Sequence, residues 1–470
     1  MLTVHSVDYG SRAIREAYYR LPLRTREPVV AAYSLVQRRK RYGPAFQAYC
    51  TWLRRFETRT AAEQRHIRRY RLARLLQWCA ESVPYYNTSL AHMRRPVSPD
   101  SAEAVLASLP FLDKEDICAH SAELLAPSAA VGGVSTHTSG TSGKGLRLVI
   151  SRGGFQRSYA CAWHQYWDCL VARGDRVATI AGHPVARVTS QEPPFWVYDR
   201  VENELFFSSQ HLSLAESEAY LDRLVRFAPQ LIRGYPSSLA LLAHYAAQRN
   251  MRFRHPVPIV TSSETLLPAQ RRVISEVFGG PVRSYYGNAE RAAHLLECSA
   301  GNMHPVGDSC VVEVLDELGQ TVGDGEEGEL ICTGLLDFAM PLLRYRIGDR
   351  GVHGGDHCPC GRPGSFLRCV TGRVEDYVMT PEGRRVGRLD HAFKDALRVR
   401  EAQIVQDDVA SIRVSLVPRP GFSDADRRMI NEELRLRLGS SIAISYELAE
   451  HLPRTSTGKL QFVVSNVNVK

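Results

Sequence analysis

Short apolar runs alternate with patterns of helical periodicity from about residue 131 to residue 307. The run RVATIAGHPV precedes the helical pattern LSLAESEAYLDRLVRFAP, and QLIRGYP, SSLALLAHYAAQR and VPIVTSSE continue the alternation. Strands that alternate with helices pair in parallel, because each helix returns the chain to the same end of the sheet. We therefore predict an α/β fold, with a large multi-layer N-terminal domain built on parallel or mixed sheets.

The segments on either side of this alternation have different patterns. Residues from about 12 to 90 predict arginine-rich helices, with a capping box at Thr60 and Glu63 and a helix end before Pro84. The runs CVVEVLD and GELICTG indicate a β-rich portion, and IRVSLVP, ADRRMINEELRLRLG and IAISYEL predict a strand, a helix and a strand. We place the large domain at 1–374 and a small, mobile α+β C-terminal lid domain at 375–470.

Length and composition exclude several classes of protein. A chain of 470 residues is too long for one ordinary core, so we expect at least two domains. The formal net charge is +9, but it comes almost wholly from scattered arginines, since only six residues are lysine, and we predict no nucleic-acid partner. No apolar run approaches the roughly 20 residues of a membrane span, and the first residues lack the apolar core of a secretory signal. Eleven cysteines in such a chain should be reduced, and we expect a cytoplasmic protein.

The strongest local signal is the sequence TSGTSGKG at residues 138–145. Small residues let backbone N–H groups approach phosphate oxygens closely, hydroxyls add donors, and the lysine adds a positive charge. The loop differs from that of P-loop NTPases, because glycine follows its lysine. The candidate phosphate-binding residues are Thr138, Ser139, Gly140, Thr141, Ser142 and Gly143, and Lys144 adds the charge, although a flexible turn could have the same composition.

Four further motifs follow this loop in order. They are YGNAE at 286–290, YRIGD at 345–349, GRVE at 372–375 and PRTSTGK at 453–459. With the loop, they resemble the adenylate-forming superfamily that includes acyl-CoA ligases, firefly luciferase and the adenylation domains of peptide synthetases. The similarity extends through RRKRYGPAFQAY, SVPYYNTSL and LPFLDKEDI, and the phenylacetate–CoA ligase branch, in particular its capsule-biosynthesis-like members, is the most similar.

The resemblance implies a role for each matching residue. Glu290 would help to hold Mg²⁺, a hard cation that prefers oxygen ligands. Lys459 would be catalytic with Glu290 and Lys144, because a cation between the attacking carboxylate and the α-phosphate offsets their repulsion. The remaining residues would contact the nucleotide or its surroundings: Ser263, Glu264, Tyr286, Gly287, Asp349 and Arg373.

Two positions depart from the pattern of the superfamily. Ala289 stands where a threonine usually precedes the glutamate. Loss of the threonine hydroxyl as a donor would cost about 1 kcal/mol, and Ser284 or Asn288 could take over this contact. Glu375 stands at the hinge position, where aspartate is usual. We still expect the C-terminal domain to rotate between two half-reactions.

Cysteines and a histidine suggest a metal site. Cys298 and His304 are followed by a C-x-C pair at Cys358 and Cys360, a ligand set suited to a closed tetrahedral zinc site. The spacing alone is equally compatible with core residues, but the phenylacetate–CoA ligase-like branch carries a similar arrangement. We predict a structural Zn²⁺ at these four residues. Possible substitute ligands are Cys310, Cys369 and His357.

The resulting hypothesis is an ATP- and Mg²⁺-dependent ligase that activates a small carboxylic acid, with an aromatic or hydrophobic acid favoured. The acyl group would pass to a thiol, with coenzyme A favoured as co-substrate. Two alternatives are transfer to an amine or a carrier-protein thiol, and a nucleotide-binding relic without catalysis. Candidate walls of the acid pocket, which could equally be core residues, are Trp163, His164, Tyr166, His183, Tyr235 and Tyr285.

Overall fold

A computed structural model of the protein describes most of the chain. The described residues are 12–90, 96–128, 132–137, 146–183, 185–187, 190, 193–213, 215–264, 266, 268–371, 378–386, 389–393, 396, 398–418, 420–450, 452–453 and 462–467.

The N-terminal part of the chain is helical. Its helices are α1 (Arg12–Arg20), α2 (Leu23–Arg41), α3 (Pro44–Glu57), α4 (Ala61–Ser82), α5 (Ala102–Ser108) and α6 (Lys114–Ala119). Helix α4 begins where expected, because the Thr60 hydroxyl accepts from the backbone N–H of Glu63 and the Glu63 carboxylate accepts from that of Thr60. It ends two residues before Pro84, so the predicted capping box and helix end are both confirmed.

The central region alternates strands and helices. Its elements are β1 (Val134–His137), β2 (Arg147–Ile150), α7 (Arg152–Asp168), β3 (Val177–Ala181), β4 (Trp196–Asp199), β5 (Glu204–Ser208), α8 (Ser217–Phe227), β6 (Leu231–Gly234), α9 (Pro236–Gln248), β7 (Val257–Ser262), α10 (Pro268–Phe278) and β8 (Gly279–Gly287). Strands then continue as β9 (His294–Glu297), β10 (Met303–Pro305), β11 (Cys310–Leu315), β12 (Glu327–Gly334), β13 (Tyr345–His357) and β14 (Pro363–Val370).

One mixed sheet organises this region. Its twelve strands lie in the order β11-β12-β13-β14-β10-β9-β8-β7-β6-β3-β5-β4. Strands β5, β3, β6, β7 and β8 pair in parallel, and β8 through β14 pair in antiparallel fashion. The predicted α/β fold with parallel or mixed sheets is confirmed.

Helices cover both faces of the parallel half of the sheet. Because side chains alternate along a strand, Ile180 and Ile232 pack with α8, α9 and α10, whereas Val177 and Leu231 pack with α3 and α7 on the opposite face. The continuous burial of β3 and β6 follows from this three-layer arrangement.

The C-terminal region contains a four-stranded sheet and a separate two-stranded sheet. Its elements are β15 (Val378–Met379), β16 (Arg385–Val386), β17 (Val399–Asp408), β18 (Ser411–Pro418), α11 (Asp424–Leu438), β19 (Ala443–Leu448) and β20 (Val463–Ser465). The order of the four-stranded sheet is β19-β18-β17-β20, and α11 packs its apolar face on it. The two-stranded sheet is β15-β16. The predicted boundary between 374 and 375 lies outside the described residues and stays a prediction.

Short 3-10 helices occur at Pro84–Tyr86, Ser209–His211 and Leu389–Phe393. In the part of the chain that the structure describes, no helix combines the length and apolar character needed to cross a membrane.

Candidate functional site

The carboxyl ends of the parallel strands form one edge of the sheet. Strands β7 and β8 pair in parallel, so Ser263 and Glu264, which follow β7, lie at the same edge as Tyr286 and Gly287 at the end of β8. Ligands of open α/β sheets bind outside this edge. Four of the residues predicted to contact the nucleotide are therefore brought to the same edge.

A cleft with about 410 Å³ of free space, partly open to solvent, lies at this edge on the α7 face of the sheet. We call it the strand-end cleft. Its lining residues are Tyr166, Thr179, Ala181, His183, Arg233, Gly234, Tyr235, Val260, Ser262 and Tyr285. Gly234 permits the close approach of β6 to β3, because a Cβ atom there would collide with the carbonyl oxygen of Ile180.

Four of the six aromatic residues predicted as candidate walls line this cleft: Tyr166, His183, Tyr235 and Tyr285. Trp163 and His164 do not line it. Trp163 packs against Tyr42 and Tyr166, and the Nε2 atom of His164 lies 2.7 Å from a carboxylate oxygen of Glu57.

The two predicted acidic site residues are each held by a tyrosine. The hydroxyl of Tyr286 donates to Asp349 Oδ2 at 2.7 Å, and that of Tyr345 donates to Glu290 Oε1 at 3.3 Å. Burial, reinforced by the negative charge of Asp349, raises the pKa of Tyr286 well above its usual value, so this phenol keeps its proton. The motifs YGNAE and YRIGD therefore contact each other in the folded chain. The role of Tyr345 was missed, although it is the first residue of the second motif.

Glu290 itself lines a second cleft, which we call the Glu290 cleft, with about 370 Å³ of free space that includes open solvent. Its other walls come from β2 and from the chain before β13, with the lining residues Leu148, Val149, Ile150, Arg291, Ala292, Gly334, Asp337, Met340, Pro341 and Leu342. Strand β2 directly follows the predicted phosphate loop, whose residues lie outside the described part of the chain. The predicted site residues Lys144 (in this loop), Arg373, Glu375 and Lys459 also lie outside the described part of the chain.

Several buried polar atoms near these clefts lack a hydrogen-bond partner among the described residues, including Nε and Nη1 of Arg291. The buried Oγ atom of Ser263 has none, and its backbone has φ = 78°, a left-handed conformation uncommon for serine. The amide nitrogen of Asn288 also has none, whereas its Oδ1 atom accepts from the backbone N–H of Ala292. Asn288 is thus a buried donor beside Ala289, where the usual threonine hydroxyl is missing.

An arginine inside the apolar run QLIRGYP anchors the inner wall of the strand-end cleft. Arg233 pairs through Nη2 with Glu204, donates from Nε to Thr179 at 2.7 Å and from Nη1 to the Tyr166 hydroxyl at 2.9 Å. Arg233 and Glu204 are 6% and 3% exposed, so this ion pair is buried. Sequence reasoning missed both residues, although a charge within an otherwise apolar strand was a usable signal.

The four residues predicted to bind zinc meet at one point. Cys298, His304, Cys358 and Cys360 each place a ligand atom within 4.8 Å of the others, and we call them the Cys/His cluster. The Sγ atoms of Cys298 and Cys358 are 3.8 Å apart, and Cys360 Sγ is 3.6 Å from His304 Nε2. The three suggested substitutes are not part of it.

The cluster fits a tetrahedral metal ion. With zinc–sulfur and zinc–nitrogen bonds of about 2.3 and 2.0 Å, the edges of the tetrahedron would measure about 3.8 Å between sulfurs and about 3.5 Å between sulfur and nitrogen. N–H groups also point at the sulfurs, with Asn302 Nδ2 3.2 Å from Cys358 Sγ and the backbone nitrogen of Arg362 3.4 Å from Cys360 Sγ. Burial, followed by the charges of Arg362 and Arg68, lowers the pKa of His304 to about 4, which keeps its ring neutral.

Comparisons with known sequences give two similar proteins and one domain family. Residues 378–466 match the CapK C-terminal domain family. Protein CapK of Staphylococcus aureus is 27% identical over 344 residues, which is 70% of this chain and 74% of CapK. Phenylacetate-coenzyme A ligase of Thermus thermophilus is 29% identical over 163 residues, which is 33% of this chain and 36% of that enzyme.

Comparisons with solved structures give the same fold. A 2-hydroxyisobutyryl-CoA ligase in complex with 2-HIB-AMP and CoA matches with a TM-score of 0.59 and 20% identity, covering 87% of this chain and 91% of the ligase. The same ligase in its postadenylation state with R3-HIB-AMP matches with a TM-score of 0.53 and 19% identity, covering 88% and 91%.

Proposed function

The chain belongs to the adenylate-forming superfamily and has CapK-like relatives, and from this premise we propose that it activates a small carboxylic acid with ATP as the acyl-adenylate. The observation that carries the proposal is the contact between two motifs separated by 55 or more residues, in which tyrosines hold Glu290 and Asp349. This network adjoins the edge of the sheet at which the strand-end cleft opens. A nucleotide and an acid need such adjoining sites in order to react.

In the first half-reaction, a carboxylate oxygen of the acid attacks the α-phosphorus of ATP and the bond to pyrophosphate breaks. We assign the approach of the triphosphate to the Glu290 cleft, since β2 lines this cleft and follows the predicted phosphate loop. Glu290 would hold Mg²⁺, which would neutralise phosphate charge. Lys459 would lie between the two negatively charged reactants, and Asp349 and Arg373 would bind the nucleotide.

Asn288 supports this assignment at the position where the superfamily motif departs from its usual form. Its buried amide N–H₂ has no partner among the described residues. An unpartnered buried donor costs about 1–3 kcal/mol, and a phosphate oxygen would remove this cost. We propose that Asn288 takes over the contact of the missing threonine.

In the second half-reaction, a thiol attacks the acyl carbonyl carbon and AMP leaves. We favour coenzyme A because the chain is similar to a phenylacetate-coenzyme A ligase, although an amine or a carrier-protein thiol would use the same intermediate. A rotation of the C-terminal domain around Glu375 would remove Lys459 from the site and admit the acceptor. We place the reaction in the cytoplasm.

We further propose that the Cys/His cluster binds one structural Zn²⁺. Its edge lengths of 3.8 and 3.6 Å agree with those of a zinc tetrahedron, and four protein ligands leave no open position for water or substrate. The ion would join the turn between β9 and β10 to the turn between β13 and β14. It would therefore stabilise the antiparallel half of the sheet and take no part in the chemistry.

ATP–pyrophosphate exchange tests the proposal. The assay would use purified full-length protein, Mg²⁺ and a panel of aryl, short aliphatic and amino acids, with Lys459→Ala as the control. We expect exchange that depends on an acid and falls by about 10²-fold or more in the variant. Absence of exchange with every acid, despite ATP binding, would favour the nucleotide-binding relic.

The acceptor is tested with the acid that supports exchange. Coenzyme A is added to one reaction and a simple amine to another, and the acyl products are identified by mass spectrometry. A thioester at a rate far above that of the amide supports the ligase with coenzyme A. The reverse order would assign the chain to the amide-forming enzymes.

A further inference from the structure

The inner end of the strand-end cleft has more polar groups than the binding of an apolar acid requires. Thr179 of β3, Arg233 of β6 and Val260 of β7 lie in one register row across the sheet. Ala181, Tyr235 and Ser262 are two residues further along and point to the same face. Thr179 and Arg233 thus lie deeper in the cleft than the rim where the predicted nucleotide residues are found.

Arg233 retains hydrogen-bonding capacity in the described structure. A guanidinium group has five N–H bonds, and three of them are directed at Thr179, Tyr166 and Glu204. One N–H on each of the two terminal nitrogens is therefore left for a further acceptor. Because Glu204 balances its positive charge, this wall offers donors without a net charge.

His183 adds a second polar group to the same cleft. It is 5% exposed, its ring packs edge-on against Phe206 at 4.6 Å between centroids, and it makes no side-chain hydrogen bond to any described residue. Burial lowers the pKa of His183 to about 3, with the charges of Arg233 and Arg41 acting in the same direction. The imidazole is therefore neutral and offers one donor and one acceptor.

The two tyrosines of the cleft wall that lie near these groups add no charge. Tyr166 is held by Arg233, and burial raises its pKa above the usual value, so it stays protonated. Tyr285 packs on the α7 face and its hydroxyl lies 2.9 Å from His294 Nδ1. Burial raises the pKa of Tyr285 as well. The side walls are mostly aromatic or aliphatic. Thr179 and Arg233 lie at the inner end, and His183 packs on Phe206, the register partner of Thr179.

We propose that the strand-end cleft binds the acid with its carboxylate toward the rim, and that Arg233 and His183 select acids carrying a neutral hydrogen-bonding group, such as a hydroxyl, at the end remote from the carboxylate. This inference rests on the proposed function and narrows its substrate class. An acid with a wholly apolar tail would leave the inner N–H groups and the imidazole without partners, and such buried orphan groups are costly. A second carboxylate would place an unbalanced charge beside Glu204.

Matched pairs of acids test this inference in the ATP–pyrophosphate exchange assay. The pairs are 4-hydroxyphenylacetate with phenylacetate, 4-hydroxybenzoate with benzoate, and 4-hydroxybutyrate with butyrate, and glutarate is a charged comparison. We expect the hydroxylated member of at least one pair to have a kcat/KM higher than its deoxy partner by about 10²-fold, and glutarate to be poor.

Three variants locate the source of the selectivity. Arg233→Met combined with Glu204→Gln removes both charges without leaving one unpaired, and His183→Phe keeps a ring of similar size. The Arg233→Met/Glu204→Gln double variant and His183→Phe should each reduce the preference for the hydroxylated acid to under about tenfold while exchange with the deoxy acid persists. His164→Phe changes a buried histidine outside the cleft and should leave the preference unchanged.

The outcomes separate the two proposals. Equal or better kcat/KM for the deoxy acids in wild-type protein, or a clear preference for glutarate, overturns the inference and leaves the proposed function intact. A preference that survives in all variants of Arg233 and His183 overturns the assigned residues. Absence of exchange with any acid overturns the proposed function, and the inference falls with it.

Discussion

The two halves of the large sheet differ in how their polar side chains are arranged. In the parallel half, the strand-end cleft presents N–H groups of Arg233 and a neutral His183 ring that described residues do not use. In the antiparallel half, the ligand atoms of the Cys/His cluster all lie within 4.8 Å of one another. The first arrangement suits a ligand that binds and leaves, and the second suits an ion that stays.

The difference follows from the topology of each half. Parallel strands end at one edge and need connections that cross the sheet, so an opening is left where successive connections diverge. Antiparallel strands are joined by short turns, and two such turns bring Cys298 and Cys358 together although they are 60 residues apart. A ligand-binding cleft and the proposed metal site can therefore coexist in one sheet.

Replacing two metal ligands should have the largest effect on stability. In Cys358→Ser combined with Cys360→Ser, we expect bound zinc to fall from about one ion per chain to near zero, and the free energy of unfolding to fall by about 4 kcal/mol or more. Elemental analysis and thermal unfolding measure the two quantities. Cys310→Ser, a buried cysteine outside the cluster, should keep the metal. A wild-type protein purified without any zinc would contradict the prediction.

Replacing the predicted magnesium ligand should affect catalysis and leave the Cys/His cluster intact. Glu290→Gln keeps the shape of the side chain but removes its charge, and we expect the rate of ATP–pyrophosphate exchange to fall by about 10²–10³-fold. Zinc content should not change. Glu317→Gln, at an exposed position in the turn after β11, is the matched control and should keep the wild-type rate. Equal rates for the two variants would remove Glu290 from the site.

Acidification should weaken the parallel half through its buried histidines. The pKa of His183 is about 3 in the folded chain because of burial, while the unfolded chain has an ordinary value of about 6.5. Between these values the unfolded state binds more protons, so the free energy of unfolding falls as the pH decreases, by up to about 1.4 kcal/mol per pH unit.

His183→Phe should remove this contribution, which urea unfolding at pH 7.5, 6 and 5 can measure. His211 is the comparison, since burial lowers its pKa to about 4 and its window is correspondingly narrower. If the free energy of unfolding falls with equal slopes against pH in the wild type and in His183→Phe, the assignment of a neutral imidazole to His183 is wrong.

Removing one tyrosine hydroxyl should have the smallest effect. Tyr345→Phe deletes the hydrogen bond to Glu290, which is worth about 1 kcal/mol, so we expect roughly a fivefold loss of exchange rate and a higher Mg²⁺ requirement. Tyr286→Phe deletes the bond to Asp349 and should instead raise the KM for ATP. A Mg²⁺ dependence that is unchanged in Tyr345→Phe would show that this bond does not position Glu290.

Local patterns allowed most of the fold to be predicted. The alternation of apolar and helical patterns predicted the α/β layers, and the capping box at Thr60 and Glu63 predicted where α4 begins. Such features depend on residues within a few positions of each other, which is why they can be recognised in a sequence. The convergence of Cys298 and His304 on the C-x-C pair was also predicted, although it needed the resemblance in addition to the spacing.

What only the tertiary structure decided was which side chains share a space. Neighbouring residues of a strand point to opposite faces, so Tyr285 lines the cleft while Tyr286 bonds to Asp349, and their order in the sequence does not distinguish these roles. The role of Arg233 follows only from Glu204, Thr179 and Tyr166, which surround it in the folded chain. By itself, the sequence determined the elements, the motifs and the chemistry available. Three-dimensional packing determined the partners, because pairing across a sheet depends on strand order and register, which local periodicity does not encode.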